Sequence, residues 1–239
     1  MAQKIVTGWS RLVLFGIMRM ELIALPGKAF FKLSKEKQRE IYEACLDEFI
    51  EYGYDSASTN RIVKRAGTSK GVLFKYFTSK EKLFLELCER TAEQVWRELK
   101  IDSEKLPDDF FEALGVLVAR EIRFSRENPK SFSLFRMILK QPEHPVHQKA
   151  IYLFKTASNL SLELLATRLA CHFRPEISTD HAIQLLIMIS NKITEQFIET
   201  ARHVDWDDPE VLYEQVFKEM EPYFTIIKYG IYPREHPDE

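Results

Sequence analysis

The sequence predicts an all-α protein that opens with a helix-turn-helix unit, and three observations carry that prediction. Apolar residues recur at three- and four-residue intervals from Ser34 onward, no segment alternates with period two over a strand length, and no Asn-Gly or Asp-Gly pair marks a hairpin. Prolines cut the C-terminal half into stretches of helical length. Between Asp55 and Glu81 there is no acidic residue, while Arg61, Lys64, Arg65, Lys70, Lys75 and Lys80 all fall there.

Each element follows from its local signals. Ser34 caps a helix over about 34–52, on which Ile41, Cys45 and Phe49 repeat every four residues and Gly53 stands at the C-terminal end. A second helix runs from Ser58 to Ala66, Gly67-Thr68-Ser69 makes a tight turn, and a third helix covers Lys70 to Phe77. Thr78-Ser79-Lys80-Glu81 reads as a capping box that opens a fourth helix, carried by Leu83, Leu87, Thr91 and Val95 to about Ile101. Further on, the proline-bounded segments are 108–125, 130–140, 147–173, 178–203 and 209–229, and Pro222 is expected to kink or split the last of them. Residues 1–30 form a leader of different character, read either as a flexible or mis-assigned start preceding Met18 or Met20, or as an extra amphipathic helix. Residues 31–80 then make a helix-turn-helix domain and 81–239 a larger helical domain.

Composition removes several function classes. The chain has 239 residues, of which 45% are hydrophobic and 29% charged, as in ordinary globular proteins. Its eight glycines form neither a Gly-x-Gly-x-x-Gly nor a Walker loop, and no Gly-x-Ser-x-Gly elbow anchors a hydrolase. No set of acid, base and nucleophile assembles, so no enzyme activity and no cofactor is expected. Cys45, Cys88 and Cys171 have no zinc spacing and read as reduced, buried residues of a cytoplasmic protein. His144-Pro145-Val146-His147 is the nearest approach to a metal cluster, and its flanking prolines argue against a helical ligand face, so no metal is expected. The apolar run Leu12 to Met18 has seven residues, against the ~20 of a membrane span, so no membrane partner is expected either.

The basic block gives the positive signal. Two short helices joined by a glycine-containing turn place the second helix in a DNA major groove, and flanking cations meet the phosphates on either side. A solvated basic face is the competing explanation.

The residues then carry a resemblance. From about Gln38 to Leu87, Phe49, Gly53-Tyr54, Ser58-Thr59, Ile62-Val63, Ala66-Gly67-Thr68-Ser69-Lys70-Gly71-Val72-Leu73-Phe74-Lys75-Tyr76-Phe77, Lys80-Glu81 and Leu83 resemble, in order and without a gap, the DNA-binding domain of the TetR family of transcriptional regulators. About a fifth of the chain is covered. The resemblance implies a homodimer whose N-terminal three-helix domain binds a pseudo-palindromic double-stranded operator, with a divergent C-terminal domain that holds a ligand pocket and the dimer interface. It implies DNA contacts from Thr59, Asn60 and Arg61, from Lys70, Gly71, Val72, Phe74, Lys75 and Tyr76 of the recognition helix, and from Lys80 at the opening of the fourth helix. Val72 stands where Thr or Ser is usual in the family and Phe74 where Tyr is usual, so each loses a hydroxyl. For Tyr76 a ring packed on the domain core competes with a DNA contact. Ile62, Ala66, Leu73 and Phe77 are assigned to the core.

Beyond residue 101 the resemblance fades. An aromatic load at Phe110, Phe111, Phe124, Phe132, Phe135 and Phe154, with Met137 among them, points either to core or to the lining of a pocket for a small apolar or aromatic effector, with Phe111, Phe124 and Phe135 as the candidate lining. Arg120 and Arg123, on the same helix as Phe111 and Phe124, read either as partners for an anionic group or, by preference, as surface charges. The segments 147–173 and 178–203 suit a dimer interface or internal packing. The function expected is that of a ligand-responsive transcriptional regulator, a repressor, and the rival is a constitutive DNA-binding scaffold that recruits a protein partner.

Overall fold

The computed structural model describes residues 30–99, 106–203 and 207–229. Every regular element among them is helical. In chain order these are α1 (Lys35–Ser56), α2 (Thr59–Arg65), α3 (Lys70–Tyr76), α4 (Lys80–Leu99), α5 (Phe110–Glu127), α6 (Pro129–Lys140), α7 (Pro145–Leu169), α8 (Thr179–His203) and α9 (Pro209–Tyr229). Short 3-10 turns lie at Phe30–Lys32 and Ala170–His172. The expectations for residues 1–29 and for the end of α4 near Ile101 lie outside the described residues.

Local chemistry explains the boundaries. Ser34 Oγ accepts from the Lys37 N–H at 3.2 Å and starts α1. Gly53 interrupts α1 at φ 71°, ψ 172°, a conformation closed to residues with a Cβ, and one further turn follows to Ser56. Gly67, at φ 54°, closes α2 in a Schellman arrangement: Thr68 N–H donates to Val63 O at 3.0 Å and Gly67 N–H to Lys64 O. Asp109 caps α5 through the Phe111 and Glu112 amides. Pro129, Pro145 and Pro209 each occupy the first helical position, where a missing N–H removes no hydrogen bond.

Several expectations are corrected. The cap of α4 is Ser79, whose Oγ accepts from Lys82 N–H, and not Thr78, so the capping box is one residue out of register. Pro222 lies inside α9 without splitting it. Pro145 begins α7, so His147 is helical after all and its ring comes within 4.9 Å of His144. Even so, no group of three His, Cys, Asp or Glu among the described residues could hold a metal. Cys45 and Cys88 are buried, but Cys171, in the turn after α7, is exposed. Phe30, counted with the leader, is fully buried, with edge-on contacts to Tyr42, Tyr76 and Phe77. No described helix is long and apolar enough to cross a membrane.

The described residues form two compact units. One comprises residues 30–94 with 133–154, and thus extends beyond residue 80; the other holds the remaining described residues from 95 onward. In the first, α1 packs on α2 and α2 on α3. Its core joins Ile41, Cys45, Phe49, Ile62, Leu73, Phe77, Phe84 and Leu87 to Leu134 and Ile138 of α6 and Val146 and Ala150 of α7. In the second, α9 pairs with α8 and α5, and Leu106, Phe110, Ala113 and Leu117 pack with Leu165, Ala166 and Leu169 of α7.

Candidate nucleic-acid interface

The sequence pattern of α2 and α3 sorts their side chains by face. Ile62, Ala66, Leu73 and Phe77 are buried, as expected, so the opposite faces turn outward. Asn60, Lys64, Lys70, Gly71, Val72 and Lys75 are exposed, and Thr59 and Phe74 are half-buried. Ser69 Oγ accepts from Val72 N–H and caps α3, which starts the outward-facing Lys70-Gly71-Val72 segment. Lys70 Nζ lies 6.0 Å from the centre of the Phe74 ring, close enough for a cation–π contact that draws the ammonium along the helix.

The six cations divide into two groups. Arg61 donates to Glu48 through Nε at 2.8 Å and to the Ser56 carbonyl through Nη2 at 2.8 Å, with its guanidinium 4.0 Å over the Tyr52 ring. Arg65 pairs with Glu51 at 3.3 Å and Asp47 at 3.8 Å. Lys80 Nζ donates to the carbonyls of Tyr54, Asp55 and Ala57 at 2.8, 3.0 and 3.3 Å, which uses all three of its protons to close the C-terminal end of α1. Lys64, Lys70 and Lys75 are exposed and make no ion pair among the described residues.

Of the residues expected to meet DNA, Thr59, Asn60, Lys70, Gly71, Val72, Phe74 and Lys75 therefore stand on the accessible side of α2 and α3. Tyr76 does not: at 9% exposure its ring lies edge-on to Phe30 at 5.4 Å, the packing alternative already open for it. Arg61 and Lys80 hold protein groups. Lys64, which lies in the acid-free stretch but is not among the expected contacts, is exposed as well.

Behind these helices, Tyr42 of α1 donates to Glu86 Oε1 of α4 at 3.0 Å, and the Arg90 guanidinium lies 4.1 Å over the Tyr42 ring. Glu86 is 7% exposed, and its Oε2 is buried with no hydrogen-bond partner. Burial pushes the Glu86 carboxyl up to about 7; the Tyr42 hydrogen bond and Arg90 oppose the rise, and Glu89 and Glu93 add to it.

The aromatic residues considered for a pocket take different positions. Phe124 is buried in α5, and Phe111 is half-buried, with edge-on contacts to Phe110 and Phe224 and with Lys228 Nζ 5.8 Å from its ring. Phe135 is half-buried against Phe154 and belongs to the unit that contains α2 and α3. Arg120 donates to the Leu99 carbonyl, and Arg123 is exposed.

Comparison with known proteins places residues 41–87 in the family described as bacterial regulatory proteins, tetR family. The nucleoid occlusion factor SlmA of Haemophilus ducreyi is 32% identical over 109 residues, which are 45% of this chain and 52% of that protein. The HTH-type transcriptional repressor Rv1474c of Mycobacterium tuberculosis is 34% identical over 96 residues, 36% of this chain and 51% of that protein. The chain thus spans about half the length of these curated relatives. Among solved structures, FadR from Bacillus subtilis in complex with stearoyl-CoA has the same fold, with a TM-score of 0.54 at 16% identity over 81% of this chain and 99% of that one.

Proposed function

We infer that the chain, whose residues 41–87 match the TetR family of bacterial regulatory proteins, is a ligand-responsive repressor that binds a pseudo-palindromic operator as a homodimer. The observation that carries the DNA-binding part is the outward, acid-free face of α2 and α3. There Lys64, Lys70 and Lys75 are left to phosphate and base edges, while the neighbouring cations are engaged by protein. Lys70, Gly71 and Val72 at the start of α3 enter the major groove, with Thr59 and Asn60 of α2 against the backbone. The Val72 isopropyl group is suited to a thymine methyl.

Dimerisation rests on α8, where Leu185 and Met188 are exposed at 44% and 66%. The effector is a small apolar or aromatic molecule held by the C-terminal half, with Phe111 as its accessible ring. The stearoyl-CoA bound by a protein of the same fold agrees with an apolar ligand. Release of DNA requires that the ligand favour the conformer whose two recognition helices are wrongly spaced, since equal affinity for both shifts nothing.

The test is selection from random duplexes with the full chain. Enrichment of an inverted repeat with half-sites about one helical turn apart, ~34–36 Å, is expected, and a preference that survives Lys70→Ala unchanged would reject the recognition helix. An apolar compound from a thermal-shift library should raise the melting temperature and release that duplex over one concentration range.

A further inference from the structure

Resting on the DNA-binding reading, we propose that Glu48 and Lys37 are positioning residues: from α1 they grip the two ends of α2 and set the angle at which α2 and α3 meet DNA.

A helix of seven residues is too short to define its own position, since isolated helices below ~12–15 residues are marginal. Its cap residue, Ser58, makes no side-chain capping bond. Instead Glu48 Oε1 accepts from the Ser58 N–H at 2.7 Å, and the same oxygen receives Arg61 from the first turn. At the other end Lys37 Nζ donates to the Ala66 carbonyl at 2.8 Å and the Gly67 carbonyl at 3.4 Å. An anion thus sits at the N-terminus and a cation at the C-terminus, the signs the helix dipole favours. Both grips come from one rigid element: the stretch of α1 from Lys37 to Glu48 is about 16 Å long at 1.5 Å per residue, against about 12 Å from Ser58 to Ala66.

Packing does not account for Glu48. Its side chain is fully buried, its Oε2 has no hydrogen-bond partner, and an apolar residue of similar size would avoid the cost of burying a carboxylate. What the carboxylate supplies is a fixed acceptor for Ser58 and Arg61. At the opposite end the ammonium lies directly beneath the left-handed turn, where a Cβ on Gly67 would stand 3.6 Å from Lys37 Nζ. The turn that leads into α3 is therefore held at the point where the chain changes direction.

The experiment compares Glu48→Gln, Glu48→Leu and Lys37→Met in the full chain, on variants whose far-UV circular dichroism equals wild type. Two readouts are taken: amide hydrogen exchange of residues 58–66, without DNA, and the ratio of affinities for the selected duplex and a random duplex. Glu48→Gln and Glu48→Leu carry the same charge, but only glutamine keeps an acceptor for Ser58 and Arg61, so their difference reports the acceptor and not the charge. Glu48→Leu and Lys37→Met should speed exchange in α2 relative to α1 and lower the affinity ratio at least tenfold, while Glu48→Gln stays within about threefold of wild type. Unchanged exchange and an unchanged ratio in Glu48→Leu, with wild type still selecting a sequence, would overturn the positioning role and leave the DNA-binding reading standing. A wild type that binds neither duplex would overturn that reading, and the proposal with it.

Discussion

Glu86 makes the stability of this protein fall as the solution passes from mildly acidic to mildly alkaline. An ordinary carboxyl titrates near 4.5, whereas in the folded chain Glu86 keeps its proton up to about 7, because the group is buried between α1 and α4. Over that interval the folded state binds more protons than the unfolded state, so the stability that Glu86 contributes is fully present below about 4.5 and is lost as pH rises to about 7. At about 1.36 kcal/mol per pH unit the full loss is about 3 kcal/mol by pH 8, a large part of the 5–15 kcal/mol typical of a folded domain. Glu86→Gln stays neutral at every pH and keeps an acceptor for the Tyr42 hydroxyl. Urea unfolding followed by circular dichroism, at one protein concentration from pH 4 to 8.5, should give nearly equal midpoints for the two proteins at pH 4. The variant should gain on wild type between about pH 4.5 and 7, and the difference should level off above that range. His147, buried against Phe84 and held below its usual range chiefly by desolvation, contributes in the opposite sense, its stability being lost as pH falls; it acts equally in both proteins and cancels in the difference. A difference between wild type and variant that does not change with pH would refute the account of Glu86.

Lys80→Met should cost about 1–2 kcal/mol of stability through the carbonyls of Tyr54, Asp55 and Ala57 that it leaves bare. It should leave the salt dependence of random-duplex binding as it is; a slope smaller by about one per monomer would instead make Lys80 a phosphate contact. Asp109→Ala removes the cap of α5 and should destabilise by about 0.5–2 kcal/mol. The Phe111 and Glu112 amides and Lys228 hold the Asp109 carboxyl below its usual range, so its contribution is present at neutral pH and disappears in acid; the gap between wild type and variant should close below about pH 4. Phe111→Ala should weaken effector binding and leave operator affinity without effector intact, whereas Phe124→Ala, at a buried position, should lower stability by about 3–5 kcal/mol. An effector response untouched by Phe111→Ala would remove that ring from the ligand site.

What the sequence determined by itself is the set of features that depend on near neighbours in the chain. The helical period of Ile41, Cys45 and Phe49, the cap at Ser34, the tight turn at Gly67 and the inward face of Ile62, Ala66, Leu73 and Phe77 are local, and each is found as read. The acid-free stretch from 56 to 80 was equally visible, because charge is a property of composition. Which of its cations remain available was not visible, since Arg61 finds Glu48 across thirteen positions and Lys80 reaches the end of α1 from more than twenty positions away. Burial of Tyr76 likewise depends on Phe30, forty-six positions earlier, which no helical period connects to it. The raised Glu86 carboxyl needs α1 laid against α4, and the assignment of residues 133–154 to the same compact unit as α2 and α3 needs Leu134, Ile138, Val146 and Ala150 in one core. These are decided by long-range packing, where a side chain's partner is set by how helices meet in space and not by its neighbours in sequence.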